Sequence, residues 1–375
     1  MSPTTSRTIR LGLLQHACGS DRDANLKTAV SLAQEAAAQG AELLITQELF
    51  TLPYFPQVED EARFALAEPI PGPTTRRMAA LAAELNVSIC ASLFEKRAAG
   101  VFHNTALLIG PDAKIVGRYR KMHIPHDPRF YEKFYFTPGD SGFGAHVLPQ
   151  CRAGMLICWD QWFPEAARLT ALAGAEVLLY PTAIGSWHIP CASRPQGDER
   201  HEGTEAGVRA TERRSDEATK GSRRDEGTKD PDSADGLRDE GRTGTSRDIR
   251  AVDADIASFQ SRSTGGDTGA ERAQQHDAWL TVQRSHAIAN GVYVATVNRI
   301  GAEDELQFWG SSFVVDPAGT VIAAAPGNEP AVLVVDCDLA DIDRAREGWP
   351  FLRDRRIDAY GGLANRWLED PPQKA

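Results

Sequence analysis

The chain has 375 residues, of which 42% are hydrophobic and 25% charged, and it carries a net charge of −11 at neutral pH. These values are ordinary for a globular protein of one large domain or two average ones. The acidic balance argues against nucleic acid and anionic membranes as partners, since both attract basic surfaces.

Neither a signal peptide nor a disulfide framework is expected. Residues 1–6 form a polar N-terminal tail without an apolar core, and no apolar run reaches the length of a membrane span. The six cysteines are scattered and include no CxxC pair, which is typical neither of a secreted disulfide scaffold nor of a zinc site. We therefore expect a reducing, cytoplasmic location.

Strand and helix patterns alternate along the chain. Periodicity predicts helices at 23–39, 74–84, 164–173 and 276–290. Short apolar runs predict strands at 7–15, 41–46, 86–94, 103–110, 114–120, 154–157, 175–180, 292–298, 310–316, 320–325 and 331–336. The alternation favours α/β layering, and the hairpin-like pairs at 103–120 and 310–325 imply antiparallel sections. Turns of matching chemistry at 110–112 and 316–319 suggest two similar halves.

Residues 190–274 differ in composition from the rest of the chain. Between 195 and 272 only six of the larger apolar residues occur, and the remainder is mostly Arg, Asp, Glu, Gly, Ser and Thr. Such a segment cannot bury enough apolar surface to offset about 1–2 kcal/mol of backbone entropy per residue. We predict a low-complexity, disordered insertion at 190–274. Three interpretations of it are open: an inert insertion, a regulatory or interaction element, and an artefact of the gene model.

Three chemically active residues stand where apolar strands end. Glu48 closes the run 43–48, Lys121 follows the run 115–120, and Cys158 closes the run 154–157. Strand ends of α/β sheets form binding clefts, because the scaffold is rigid and the loops are free to shape a pocket. For Cys158, the helix that follows is expected to favour the thiolate over the thiol.

Glutamate, lysine and cysteine together suit acyl transfer. A cysteine attacks a carbonyl or nitrile carbon, and a glutamate takes the thiol proton and returns it to the leaving amine. A lysine ammonium donates to the oxyanion, with the N–H of Trp159 as the expected backbone donor. Each residue alone has a plainer explanation: Cys158 as a small buried hydrophobe, Glu48 as an exposed strand end, and Lys121 as part of a basic patch.

The flanking sequences resemble the signature blocks of the nitrilase superfamily of carbon–nitrogen hydrolases. The blocks are ITQELF at 45–50, YRKMHIP at 119–125 and LICWDQWFPE at 156–165. Their order, residue types and spacing match the family, and segments 132–140, 295–301 and 349–356 are similar to further family blocks. The resemblance covers the chain outside the insertion, so we expect a single carbon–nitrogen hydrolase domain over 7–375, interrupted at 190–274.

The resemblance implies a four-layer α-β-β-α sandwich that assembles as a homodimer or larger homo-oligomer, with no metal and no cofactor. Glu48 would be the general base and acid, Lys121 the oxyanion donor and Cys158 the nucleophile. Glu132, in the 132–140 block, would be a second carboxylate that positions Lys121 or the hydrolytic water. The plainer reading of Glu132 is a surface charge beside Lys133.

Finer features resemble the branch of the superfamily that hydrolyses N-carbamoyl amines such as N-carbamoylputrescine. The segments 51–57, 132–136 and 180–186 carry this likeness. The implied substrate-binding residues are Tyr54, Trp159, Thr182, Ala183 and Trp187. Trp187 stands where that branch commonly has an acidic residue, so the likeness departs in the loop expected to bind the substrate tail.

Two alternatives remain open at this point. A hydrolase of N-carbamoyl-β-amino acids or ω-amides would use the same chemistry but would hold an anionic tail with basic residues. A catalytically impaired relative would serve as a binding or scaffold protein, with the insertion as its interaction element. The presence of all four residues Glu48, Lys121, Glu132 and Cys158 argues against the impaired relative.

Overall fold

A computed structural model describes residues 7–187 and 267–368. In chain order the strands are β1 (Thr8–Gln15), β2 (Leu43–Thr46), β3 (Ser88–Ala98), β4 (Val101–Ile109), β5 (Ile115–Arg120), β6 (Ala145–Val147), β7 (Arg152–Met155), β8 (Val177–Pro181), β9 (Gly185–Trp187), β10 (Tyr293–Val297), β11 (Ile300–Glu303), β12 (Leu306–Trp309), β13 (Phe313–Val315), β14 (Val321–Ala324) and β15 (Ala331–Asp338). The α-helices are α1 (Arg22–Ala38), α2 (Pro73–Leu85), α3 (Glu132–Tyr135), α4 (Pro164–Leu172), α5 (Asp267–Asn290) and α6 (Ala340–Gly348).

Two six-stranded sheets have the same internal plan. The first has the order β15-β1-β2-β3-β4-β5 and the second the order β6-β7-β8-β10-β13-β14. Read in these directions, neighbouring strands of both sheets pair antiparallel, parallel, parallel, antiparallel and antiparallel. The turns at 110–112 and 316–319 join equivalent hairpins, β4–β5 and β13–β14. The expectation of two similar halves is therefore confirmed.

The sheets are stacked between helices, which confirms the four-layer α-β-β-α sandwich. One apolar cluster lies between the two sheets and includes Leu11 and Ile45 of the first sheet and Leu179 of the second. A second cluster places Leu44 against α1 and α2 on the outer face of the first sheet. Because both faces of β2 are buried, this strand is a continuous apolar run rather than an alternating one.

Two predicted boundaries differ from the structure. The helix α5 begins at Asp267, so residues 267–274 of the predicted insertion are helical, whereas 188–266 lie outside the described residues. The strand before Cys158 ends at Met155, because the Ile157 N–H bonds to the Asp160 carboxylate instead of a neighbouring strand. No helix within the described ranges is both long and apolar enough to cross a membrane.

Candidate active site

Segments that follow strands bring four predicted residues to one place. Glu48 lies two residues beyond β2, Lys121 directly follows β5, and Cys158 lies three residues beyond β7. Glu132 is the first residue of the short helix α3. The side chains of Glu48, Lys121 and Glu132 are fully buried, and Cys158 is 6% exposed. The reading of Glu132 as a surface charge is therefore wrong.

The Lys121 ammonium is held between two carboxylates. Its Nζ lies 2.9 Å from Glu48 Oε1, and 2.9 and 2.7 Å from the two carboxylate oxygens of Glu132. Burial lowers the pKa of Lys121, but the attraction of Glu132 and Glu48 outweighs burial and raises this pKa above its ordinary value. Lys121 is therefore a fixed positive charge in a dry site.

The pKa of the Glu132 carboxyl group lies close to neutral pH. Burial raises its pKa, the ammonium of Lys121 lowers it, and repulsion by Glu48 raises it again, to a value of about 7. The Tyr54 hydroxyl donates to Glu132 Oε1 over 2.6 Å and favours the charged form.

Sequence reasoning missed Asn104 in β4. Its side-chain Nδ2 donates to Glu48 Oε1 over 2.7 Å, and its backbone oxygen accepts the Lys121 N–H over 2.9 Å. With Oε1 engaged twice, Glu48 Oε2 is a buried oxygen without a hydrogen-bond partner among the described residues. The detectable signal is the polar run 103–105 inside an otherwise apolar strand.

Arg299 is a second residue whose role the sequence did not reveal. This fully buried guanidinium donates to the backbone oxygens of Glu48 and Leu49 over 2.7 and 3.3 Å. Leu49 has a φ of +49°, a left-handed conformation that costs a non-glycine residue about 1–3 kcal/mol. Arg299 therefore stabilises the strained turn that presents Glu48, and Glu303 balances its charge at 2.8 Å.

Cys158 occupies a strained turn. Its φ of +43° lies in the left-handed region, and it opens a 3₁₀ turn at Cys158–Trp162. Burial raises the pKa of the thiol well above its ordinary value, Glu48 raises it further, and Lys121 lowers it. The expectation that N–H groups of the following helix favour the thiolate stays a prediction, since that helix begins only at Pro164, and burial and the two carboxylates act in the opposite direction. The cysteine rests as a thiol and needs a base.

The predicted substrate-binding residues differ in how they contact the four central residues. Tyr54 is buried against Glu132, and Ala183 offers its backbone oxygen at 3.9 Å from Cys158 Sγ. Thr182 directs its hydroxyl to Tyr180 O, and only its backbone oxygen faces Glu48, at 3.4 Å from the Glu48 N–H.

Two tryptophans, Trp159 and Trp187, are among the predicted substrate-binding residues. Trp159 is partly exposed, and its ring packs edge-on against Trp162 at 6.4 Å. Its N–H stands in the first turn of the 3₁₀ segment, where backbone donors have no partner within the helix. Trp187 ends β9 and pairs with Leu306, and its side chain lies outside the described structure.

This arrangement has the components of acyl transfer. A protonated thiol lies in the same buried site as a carboxylate oxygen that has no hydrogen-bond partner among the described residues, and a fixed ammonium supplies positive charge for an oxyanion. Within residues 7–187 and 267–368, no group of three or more His, Cys, Asp or Glu side chains is arranged to hold a metal ion.

Comparison with known proteins identifies the family. The model of the family described as carbon–nitrogen hydrolase matches residues 10–199 and 240–347. An N-carbamoylputrescine amidase from Solanum lycopersicum is 36% identical over 95% of this chain and 94% of its own length. A citrullinase from Francisella tularensis is 30% identical over 96% of this chain and 99% of its own length.

A solved structure gives the same result for the fold. The crystal structure of a carbon–nitrogen hydrolase from Helicobacter pylori G27 superposes with a TM-score of 0.73 at 34% identity, covering 96% of this chain and 100% of that one. The chain therefore belongs to the carbon–nitrogen hydrolase family of the nitrilase superfamily, and it is a hydrolase of carbon–nitrogen bonds other than peptide bonds.

Proposed function

We propose that this protein is a thiol-dependent amidohydrolase that cleaves an N-carbamoyl amine, with N-carbamoylputrescine as the first candidate. The products would be putrescine, carbon dioxide and ammonia, which places the reaction in polyamine biosynthesis. The observation that carries the proposal is the buried set of Glu48, Lys121 and Glu132 around the thiol of Cys158. The amidase from Solanum lycopersicum supports the choice of substrate.

In the proposed reaction, Glu48 acts first as base and then as acid. Its Oε2 takes the thiol proton as Cys158 Sγ attacks the ureido carbon, and the tetrahedral oxyanion accepts from Lys121 and the Trp159 N–H. One carbon–nitrogen bond of the ureido group then breaks, and the nitrogen that leaves takes the proton from Glu48. Water attacks the resulting S-acyl enzyme, with Glu48 again accepting the proton, and the thiol is restored. The carbamic acid product loses carbon dioxide.

The charges around the site favour a substrate without an anionic tail. Within the described residues, the two fully buried cations of the site are Lys121 and Arg299, and carboxylates engage both. An N-carbamoyl-β-amino acid would bring a carboxylate that needs its own cation. Citrulline, which the name of the Francisella relative implies as its substrate, shares the ureido group but adds such a carboxylate.

An ammonia-release assay tests the proposal. The purified protein is given N-carbamoylputrescine, citrulline, N-carbamoyl-β-alanine and an ω-amide, and the Cys158→Ala variant serves as control. We expect the highest kcat/KM for N-carbamoylputrescine and no turnover by the variant. Ammonia release from none of the four substrates, as the impaired-relative hypothesis predicts, would overturn the proposal, and so would turnover by Cys158→Ala.

We also propose that the protein is a homodimer or larger homo-oligomer. Several large apolar side chains are exposed on α4 and near the C-terminal end of the described chain: Leu169, Leu172, Trp349, Phe351, Ile357, Leu363 and Trp367. Exposed apolar groups of this number are typical of interaction surfaces. Light scattering should give a multiple of the chain mass, and Leu169→Glu with Leu172→Glu should lower it. A wild-type monomer would contradict this proposal.

A further inference from the structure

One buried carboxylate joins the segment that carries Lys121 to the segment that carries Cys158. Asp160 is fully buried and accepts four hydrogen bonds from three other residues. Its Oδ1 accepts from the His123 N–H and Nδ1 over 3.0 and 2.7 Å. Its Oδ2 accepts from the Tyr119 hydroxyl and the Ile157 N–H, both over 2.8 Å.

The positions of these donors in the chain show which segments the carboxylate connects. Tyr119 and His123 stand two residues before and two residues after Lys121, and Ile157 directly precedes Cys158. The first segment leaves the first sheet at β5, and the second leaves the second sheet at β7. Asp160 therefore ties two catalytic segments that belong to different sheets.

Asp160 also closes the turn that holds the cysteine. Its own N–H donates to the Ile157 backbone oxygen over 3.0 Å, while its side chain accepts the Ile157 N–H. Both backbone polar groups of the residue before Cys158 are thus bound by one residue. A non-glycine residue in the left-handed region keeps that conformation only where its surroundings hold it.

We propose that Asp160 is a positioning residue that sets the separation between the Lys121 ammonium and the Cys158 sulfur. This rests on the proposed function, in which that ammonium and that sulfur act on the same substrate carbon. A displacement of about 1 Å between reacting groups costs about 100-fold in rate. Asp160 touches no reacting atom and acts through the backbone on either side.

Asparagine cannot replace Asp160 in this role. A carboxylate accepts at both oxygens, whereas an amide accepts at one and donates at the other. Whichever way an asparagine side chain is turned, its NH₂ faces a backbone N–H, either that of Ile157 or that of His123. One of the two catalytic segments therefore loses its anchor in Asp160→Asn.

The alkylation rate of Cys158 measures the separation between the Lys121 ammonium and the Cys158 sulfur. Lys121 lowers the pKa of the thiol, so alkylation by iodoacetamide slows as the ammonium moves away. Peptide mass spectrometry isolates the alkylation of Cys158 from that of the other cysteines. Because alkylation needs no turnover, this readout stands even if N-carbamoylputrescine is not the substrate.

The matched control is Glu68→Gln. Glu68 is also a buried carboxylate, and it accepts from the Thr74 N–H and hydroxyl over 2.8 and 2.6 Å and pairs with Arg22 at 2.9 Å. The same chemical change there should lower thermal stability and leave both Cys158 alkylation and kcat at the wild-type level.

We expect Asp160→Asn to slow Cys158 alkylation and to lower kcat by about 100-fold, with KM near the wild-type value. In the Lys121→Met background, Asp160→Asn should have little further effect on alkylation, because the ammonium is already gone. If Asp160→Asn does not fold, Tyr119→Phe removes one of the four donors and should reduce both rates in the same direction. Wild-type alkylation and kcat in the folded variants, or effects that multiply fully in the Lys121→Met background, would overturn the proposal.

Discussion

Asn104 donates a hydrogen bond of 2.7 Å from its side-chain amide to Glu48 Oε1, the oxygen that also contacts Lys121. A carboxylate that is held at one oxygen by two donors cannot rotate freely. Its other oxygen, Oε2, then points in a fixed direction without a partner among the described residues. The pair therefore explains how a fully buried glutamate keeps one oxygen for proton transfer.

Asn104→Ala should lower kcat. A hydrogen bond to a charged group contributes about 1.5–3 kcal/mol, so the expected loss is about 10- to 100-fold. Steady-state ammonia release measures it. The control is Asn290→Ala, since Asn290 is also a buried amide and donates over 2.9 Å to His286 O, away from the four residues. An equal loss of kcat in both variants would show that a general loss of stability is responsible.

Lys121→Met should abolish most of the activity. Loss of one oxyanion donor costs about 2.7–4 kcal/mol, or about 100- to 1,000-fold in kcat. Lys114→Met, which removes an exposed lysine paired with Asp112, serves as control and should be neutral. A kcat near the wild-type value in Lys121→Met would exclude this lysine from the oxyanion site.

The stability of Lys121→Met should depend on pH in a defined direction. Without the ammonium, Glu48 and Glu132 repel each other in a buried site, so the folded state binds protons more tightly than the unfolded chain does. The free energy of unfolding of the variant should therefore fall relative to wild type as pH rises. Chemical denaturation at acidic and alkaline pH measures this, and a pH-independent difference would contradict it.

The ionisation of Glu132 should set the acidic limb of the pH profile of kcat/KM. Its pKa is raised to about 7, and its charged form is the one that accepts from Lys121 and Tyr54. Activity should therefore fall as pH decreases through about 7. Tyr54→Phe removes a hydrogen bond that lowers the pKa of Glu132, so the limb should move to higher pH.

Tyr293→Phe is the matched control for this pH experiment. Tyr293 likewise donates to a carboxylate, that of Asp341 at 2.7 Å, but outside the site. Its pH profile should coincide with that of wild type. A limb that stays in place or moves to lower pH in Tyr54→Phe would show that Glu132 does not govern it.

The predicted insertion at 190–274 also remains a prediction that can be tested. Because α5 already begins at Asp267, the deletion should span 190–266 and be replaced by a flexible glycine–serine linker. None of the four proposed catalytic residues lies in this segment, so we expect ammonia release to persist. A folded deletion variant without activity would show that the segment contributes to catalysis.

The sequence predicted the layers well where both faces of a strand are buried. The runs 43–45 and 177–180 are continuously apolar, and they form central parallel strands in the structure. The start of α5 was missed because its first apolar anchors are Trp279 and Leu280, and the preceding polar residues show no helical periodicity. The β11–β12 hairpin was missed because its short strands include Gly301, Glu303 and Gln307, so neither is a continuous apolar run.

The sequence was less informative about how the site is held. The blocks around Glu48, Lys121 and Cys158 predicted which residues meet, because local motifs carry residue identity. They could not predict that Asn104, Arg299 and Asp160 support those residues, since these contacts join segments far apart in the chain. The protonated state of Cys158 also follows from burial, which only the folded structure reveals.

The most direct test of the account is to trap the proposed covalent intermediate. The protein is mixed with N-carbamoylputrescine, quenched with acid, digested and analysed by mass spectrometry. We predict an acyl adduct on the peptide that contains Cys158, absent from Cys158→Ala, with ammonia released only by the wild type. Ammonia release by wild type without any adduct on Cys158, or equal release by Cys158→Ala, would contradict the account.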